Sequence, residues 1–215
     1  MKPAICFAAG TMGHFVLHVV CNILYDTEII IEPCGSCHYK LHLPKNIFVA
    51  DCFDLSDTTE SWQQENDYIN SLNTDTILVG HMRNVELLVK RGFLPIYITF
   101  DVSSSEHLYK ETIRKTSTNF SREAYDIVSG PDWPLYGEPL PEWVLEEIKE
   151  KWISVYKDWR WILPVTGALE LKYEELLNTD WPLKLFKFFH ITPTHTKIDY
   201  ITTKIKQYTK LQNIL

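Results

Sequence analysis

The sequence has no surplus of basic residues: 21 Lys and Arg face 28 Asp and Glu, for a formal charge of −7 over 215 residues. A surface that tracks duplex nucleic acid shows as net basicity or a dense basic stripe, and neither is present. Nucleic acid is therefore not an expected partner, although a local positive pocket for a small anion is compatible with an acidic chain. Also missing is any run of the ~18 apolar residues that a membrane span needs. Residues 4–8 are apolar, but Gly10, Thr11 and Gly13 follow at once. A buried first strand accounts for them better than a targeting segment does. The expectation is a cytoplasmic protein with no membrane partner. The five cysteines, Cys6, Cys21, Cys34, Cys37 and Cys52, are an odd set in a long chain. They do not suggest a disulfide framework and read mostly as small buried hydrophobes. There is no internal repeat and no low-complexity segment.

What is present is an alternation of strand and helix patterns. The length suits one domain, residues 1–215, with enough chain to bury a core without staples. Apolar runs at 4–8, 46–50, 76–79 and 94–100 read as strands, 169–172 reads as the last strand, and the nearly continuous apolar stretch 14–24 reads as a buried helix. Residues 28–32 and 39–43 flank Pro33-Cys34-Gly35-Ser36-Cys37, which predicts a hairpin excursion near 28–43. Further helices are expected near 60–72, over 84–91, 104–116, 141–159 and 182–190, and roughly over 199–211. The stretch 128–141 is rich in Gly and Pro and reads as a loop, long enough to act as a lid. Trp143, Trp152 and Trp159 read as packing anchors of the helix that follows. The fold class expected is α/β: three layers, with a central mainly parallel sheet flanked by helices, in the manner of phosphate-loop proteins.

Two places carry chemistry. The first is the turn Ala8-Ala9-Gly10-Thr11-Met12-Gly13-His14-Phe15, between the first strand and the first helix. Turn amides and a helix N-terminus together favour an anion. The turn has the spacing of a nucleotide-binding loop but lacks the Lys-Ser/Thr that a magnesium-dependent triphosphatase needs after its last Gly. The plainer alternative is a glycine turn that packs a helix on a sheet. The second place is the set of strand ends, where doubly wound sheets bind ligands. His81 and Arg83 follow one buried strand, and Asp101, Ser103, Ser104 and Ser105 follow the next. A histidine there suits general base work, because its ordinary pKa lies near neutrality.

Several segments, in order, resemble the sulfotransferase superfamily, which moves a sulfuryl group from 3′-phosphoadenosine 5′-phosphosulfate to a hydroxyl or amine. The turn at 8–15 is similar to the family's 5′-phosphosulfate loop, with Gly13 at its central Gly. Thr76-Ile77-Leu78-Val79-Gly80-His81 resembles the strand ending in the family's catalytic Lys-Thr-His. Ile96-Tyr97-Ile98-Thr99-Phe100-Asp101 resembles the strand before its Arg-Asn/Asp-Pro element. Leu171-Lys172-Tyr173-Glu174-Glu175-Leu176-Leu177 and the helix after it resemble its Tyr-Glu-Asp-Leu segment, and Tyr136-Gly137 also has a counterpart.

The resemblance implies that His81 is the base and that Gly10, Thr11, Met12, Gly13, His14 and Phe15 hold the donor. His14, if protonated, is the second catalytic group, stabilising the bridging and leaving oxygens. Asp101, Ser103, Ser104 and Ser105 would lie against the 3′-phosphate, and Arg83, Trp133 and Tyr136 against the acceptor. That acceptor is a small molecule, a glycan or a peptide, and no metal is required. The chain departs from the family in several positions. Thr11 stands where the family has Lys or Arg, Val79 where it has Lys, and Phe100 at or near its 3′-phosphate Arg. A missing cation at a developing charge costs about two to three decades of rate, so His14, Arg83, Arg114 or Lys115 would have to substitute. Two other functions fit the same pattern: a nucleotide- or phosphate-binding protein with other phosphoryl chemistry, and a non-catalytic binding module of the same fold. Cys34-Gly35-Ser36-Cys37-His38 matches a haem-attachment string, a partial zinc site with Cys52, His38 or His42, or a redox pair. The reading adopted is a hairpin turn with incidental cysteines.

Overall fold

Continuous apolar strands without alternation demand cover on both faces of a sheet, and this chain builds such a sheet. The computed structural model describes residues 2–7, 11–31, 41–52, 67, 70, 71, 76–80, 84–101, 146 and 164–211. Contacts divide the chain into two compact units, Met1–Thr99 with Ile162–Leu215, and Phe100–Trp161. The architecture below is that of the first unit.

Five strands form one all-parallel sheet: β1 (Pro3–Cys6), β2 (Phe48–Cys52), β3 (Thr76–Gly80), β4 (Leu94–Thr99) and β5 (Leu169–Lys172). Their order is β2-β3-β1-β4-β5. Helices cover both sides, so the fold is α/β. β1 is central and wholly buried, with Ala4 and Ile5 opposite Leu78 and Val79 on one side and Pro95 and Ile96 on the other. Pro95 is tolerated inside the sheet for a geometric reason. The Leu94 N–H donates to the Lys2 carbonyl on the β1 side (2.7 Å). Alternation then turns Pro95 toward β5, whose pairing starts only at Ile96↔Leu169.

Helix α1 (Gly13–Tyr25) follows β1 and packs on β1 and β3. Helix α2 (Val85–Lys90) joins β3 to β4 and packs on β4, its Asn84 side chain capping the Leu87 amide (3.1 Å). After β5 come α3 (Tyr173–Leu176), α4 (Trp181–Phe188) and α5 (His195–Leu211). α4 packs on α1 and β5. Its end is closed by His190 at φ 56°, with Ile191 N–H reaching Phe186 O (2.9 Å) and His190 N–H reaching Lys187 O (3.2 Å). α5 buries Ile201, Ile205, Tyr208 and Thr209, one stripe at helical spacing.

Two expectations need correction. α5 begins at His195, a turn before the predicted 199, because Thr194 caps it, its hydroxyl accepting from the Lys197 amide (3.3 Å). Residues 28–31 and 41–43 are not strands. The first of these segments has its backbone donors taken by side chains instead: Ile29 N–H by Tyr200 Oη (3.0 Å) and Ile30 N–H by His18 Nδ1 (3.4 Å). The turn expected at 33–37, the helices near 104–116 and 141–159 and the loop at 128–141 fall outside the described residues, apart from a helical Glu146. Of the helix expected at 60–72, Asp67, Asn70 and Ser71 are described and are helical.

Candidate functional site

The crossover direction reverses at β1. The chain leaves β1 for β2 on one side, whereas β3 leads across β1 to β4, and β4 to β5, on the other. In open α/β sheets, ligands bind beyond the carboxyl end of the strands at such a point. Here that place is occupied by the turn into α1 and by the end of β3, brought level by the pairing Cys6↔Gly80.

The turn is built from a conformational outlier. Met12, at the cap position of α1, is left-handed (φ 65°, ψ 17°) and only 5% exposed. A bulky residue there costs of order 1–3 kcal/mol and persists only where the surroundings impose it. A left-handed residue followed by right-handed helix turns successive amides toward one concavity, the geometry of an anion nest. Met12 gives no side-chain cap, and the first turn of α1 holds no acid. An anion placed at the α1 N-terminus would meet neither a competing oxygen from its cap residue nor a repelling charge from its first turn.

Side chains divide differently from their positions in the sequence. Thr11 and Phe15 are fully buried. The Phe15 ring stacks on Tyr208 (4.2 Å between centroids, 16°) and meets Trp181 edge-on (6.4 Å, 68°). Only its main chain remains for a ligand. His14 is half-buried, and its imidazole lies edge-on to Phe7 (5.2 Å, 77°). Gly13 is backed by the Phe7 ring so closely that a Cβ at this position would overlap the ring carbons. Packing against Phe7 thus accounts for this glycine without any ligand. Gly80 has φ 151°, a conformation that side chains rarely adopt, and its carbonyl accepts from the Phe7 amide (3.1 Å). Nothing along the chain signals Phe7, since an aromatic at the end of a buried strand reads as ordinary core.

His81, Arg83, Gly10, Ser103, Ser104, Ser105, Trp133, Tyr136, Arg114 and Lys115 lie outside the described residues, as do Cys34, Cys37 and His38. Asp101 is exposed and belongs to the second unit. Among the described residues no group of three His, Cys, Asp or Glu could hold a metal ion, and no helix is long and apolar enough to cross a membrane. Cys21, on α1, has its thiol pushed up to about 12 by burial, which removes it as a nucleophile.

A groove of about 490 Å³ lies between the α3–α4 turn and α5, its lining including Glu175, Asp180, Trp181, Lys184 and Lys206. Two acids balance two lysines there, and the residues 11–14 take no part in it. One of its lining residues, Trp181, meets Phe15 of α1 edge-on. No protein-family model matches the chain, and no curated protein matches it.

Proposed function

We propose that the chain is a divergent sulfotransferase, with 3′-phosphoadenosine 5′-phosphosulfate as donor and a hydroxyl or amine as acceptor. The observation that carries this reading is the Met12–Gly13 turn. It is a mixed-handed, uncapped helix start with no acid in its first turn, at the carboxyl end of the strand where crossovers reverse. The motif order along the chain supplies the reaction type. His81, next after Gly80 in the chain, takes the acceptor proton. The acceptor oxygen or nitrogen then bonds to sulfur as the bond from sulfur to the bridging oxygen breaks, and adenosine 3′,5′-bisphosphate leaves with that oxygen. Amides of the turn and an N–H of the His14 imidazole stabilise the charge on the departing oxygen.

A non-catalytic relative is the second reading, favoured by the contact of Gly13 with Phe7, which explains the glycine by packing alone. Calorimetric titration with adenosine 3′,5′-bisphosphate, with ATP as the comparison, separates the two. Micromolar binding of the bisphosphate supports the first reading and justifies an acceptor screen. No binding at millimolar ligand removes this donor and leaves the second. With turnover in hand, His81→Ala is expected to lower it by about 10²–10⁴-fold with little change in bisphosphate affinity. Retained turnover would remove His81 as the base.

A further inference from the structure

Phe7, the first residue beyond β1, belongs to two elements at once. Its main chain is tied to the end of β3, donating to Gly80 O at 3.1 Å. Its ring, 4% exposed, lies against the start of α1: it fills the space a Gly13 Cβ would need and meets the His14 imidazole at 5.2 Å and 77°. The strand end and the helix start are therefore spaced by one rigid, flat side chain. An aliphatic residue of similar size is equally apolar. It offers no face for the Gly13 backbone to lie on and no ring for an imidazole to meet edge-on.

We propose that Phe7 is a positioning residue, whose ring holds His14 in one orientation at a fixed distance from the end of β3, the strand that leads into His81. The geometry stands on its own. Its consequence, that the donor is bound by a preorganised His14, rests on the sulfotransferase reading. Preorganisation lowers the ordering that a ligand must impose, so its loss appears as weaker binding.

The test uses the full chain with Phe7→Leu, Phe7→Tyr and, as a control elsewhere on α1, Phe15→Leu. Three-bond couplings report the His14 χ1 angle, with the resonances assigned by their loss in His14→Gln. One rotamer is expected in the wild type, in Phe7→Tyr and in Phe15→Leu, and averaged couplings in Phe7→Leu. Bisphosphate affinity should fall about tenfold in Phe7→Leu and recover in Phe7→Tyr. A rotamer already averaged in the wild type, or still single in Phe7→Leu, overturns the proposal. So does an affinity loss as large in Phe7→Tyr as in Phe7→Leu. If Phe7→Leu does not fold, nuclear Overhauser contacts between the Phe7 ring and the His14 imidazole in the wild type decide, and their absence overturns it. If the wild type binds no bisphosphate, the sulfotransferase reading fails while the rotamer measurement still judges Phe7.

Discussion

Replacing Gly13 by alanine tests the packing at the turn through the sign of a single shift. Gly13 is the first residue of α1. At an uncrowded helical position, Gly→Ala stabilises by roughly 0.5–1 kcal/mol, because alanine gives up less backbone freedom on folding. Here the added methyl meets the Phe7 ring. That ring has no easy retreat: it is 4% exposed, and its main chain is held by the Gly80 carbonyl. Overpacking of this kind costs about 1–3 kcal/mol. The net expectation is destabilisation by about 1–2 kcal/mol, a fall in Tm of about 2–8 °C for a chain of this size. Thermal unfolding and urea titration both read it. Phe7→Leu should relieve the overlap, so that the two changes couple by roughly 1–2 kcal/mol in a double-mutant cycle. A Tm that rises in Gly13→Ala, or two changes that simply add, would refute the contact on which both the turn and the role of Phe7 depend.

Other parts of the molecule carry smaller tests. Thr194→Ala removes the α5 cap and should cost about 1 kcal/mol, a fall of about 2–4 °C in Tm, with the loss of protection confined to the first turn of α5. Cys21 should resist alkylation at mildly alkaline pH in the folded protein and react once urea unfolds it; modification at the rate of a free thiol would contradict its burial. The Lys184 side chain, hydrogen-bonded to Glu175 at 2.7 Å, holds that carboxyl below the ordinary carboxylate range. A lowered acid pKa means that the pair's contribution is present above the ordinary range and disappears as pH falls through the folded value. Both side chains are a third or more exposed, so Glu175→Gln should cost under about 1 kcal/mol, and only at low salt and above that range. An equal cost in acid would mean that the effect is not the ion pair.

The fold was legible where burial is complete. β1, β3 and β4 are short apolar runs because both faces of the sheet are covered at its centre, and they and the edge strand β5, an alternating Leu-Glu-Leu-Lys, lie within two residues of their expected bounds. α1 reads as helical for the same reason, being apolar almost all round. The failures are local and have physical causes. The pair of strands expected at 28–32 and 39–43 does not form over the described residues, because side chains of Tyr200 and His18 hold the Ile29 and Ile30 amides. Those partners lie on α5 and α1, and nothing in the segment itself announces them. The early start of α5 had a signal in Thr194, which follows Pro193 and caps as Thr commonly does.

The candidate site was legible as a place but not as a set of side chains. A strand, a glycine turn and a helix mark an anion site through main-chain groups, and that inference needs no knowledge of what the side chains touch. Knowing what the Phe15 side chain does needs it. Its ring is claimed by Tyr208, nearly two hundred positions along the chain, and by Trp181, contacts that only the folded sheet and its covering helices create. Phe7 illustrates the converse. It looked like the tail of a strand, yet its amide and its ring join Gly80 to Gly13 and His14. A turn that binds an anion through backbone amides can do so without a cationic side chain, provided something keeps those amides in place. Here the left-handed Met12 and the ring beneath Gly13 do so. Anion binding at this turn, as proposed, would therefore depend on the shape of residues 7, 12 and 13 more than on the side chain of Thr11. On that argument Phe7→Leu should weaken anion binding more than Thr11→Ser does.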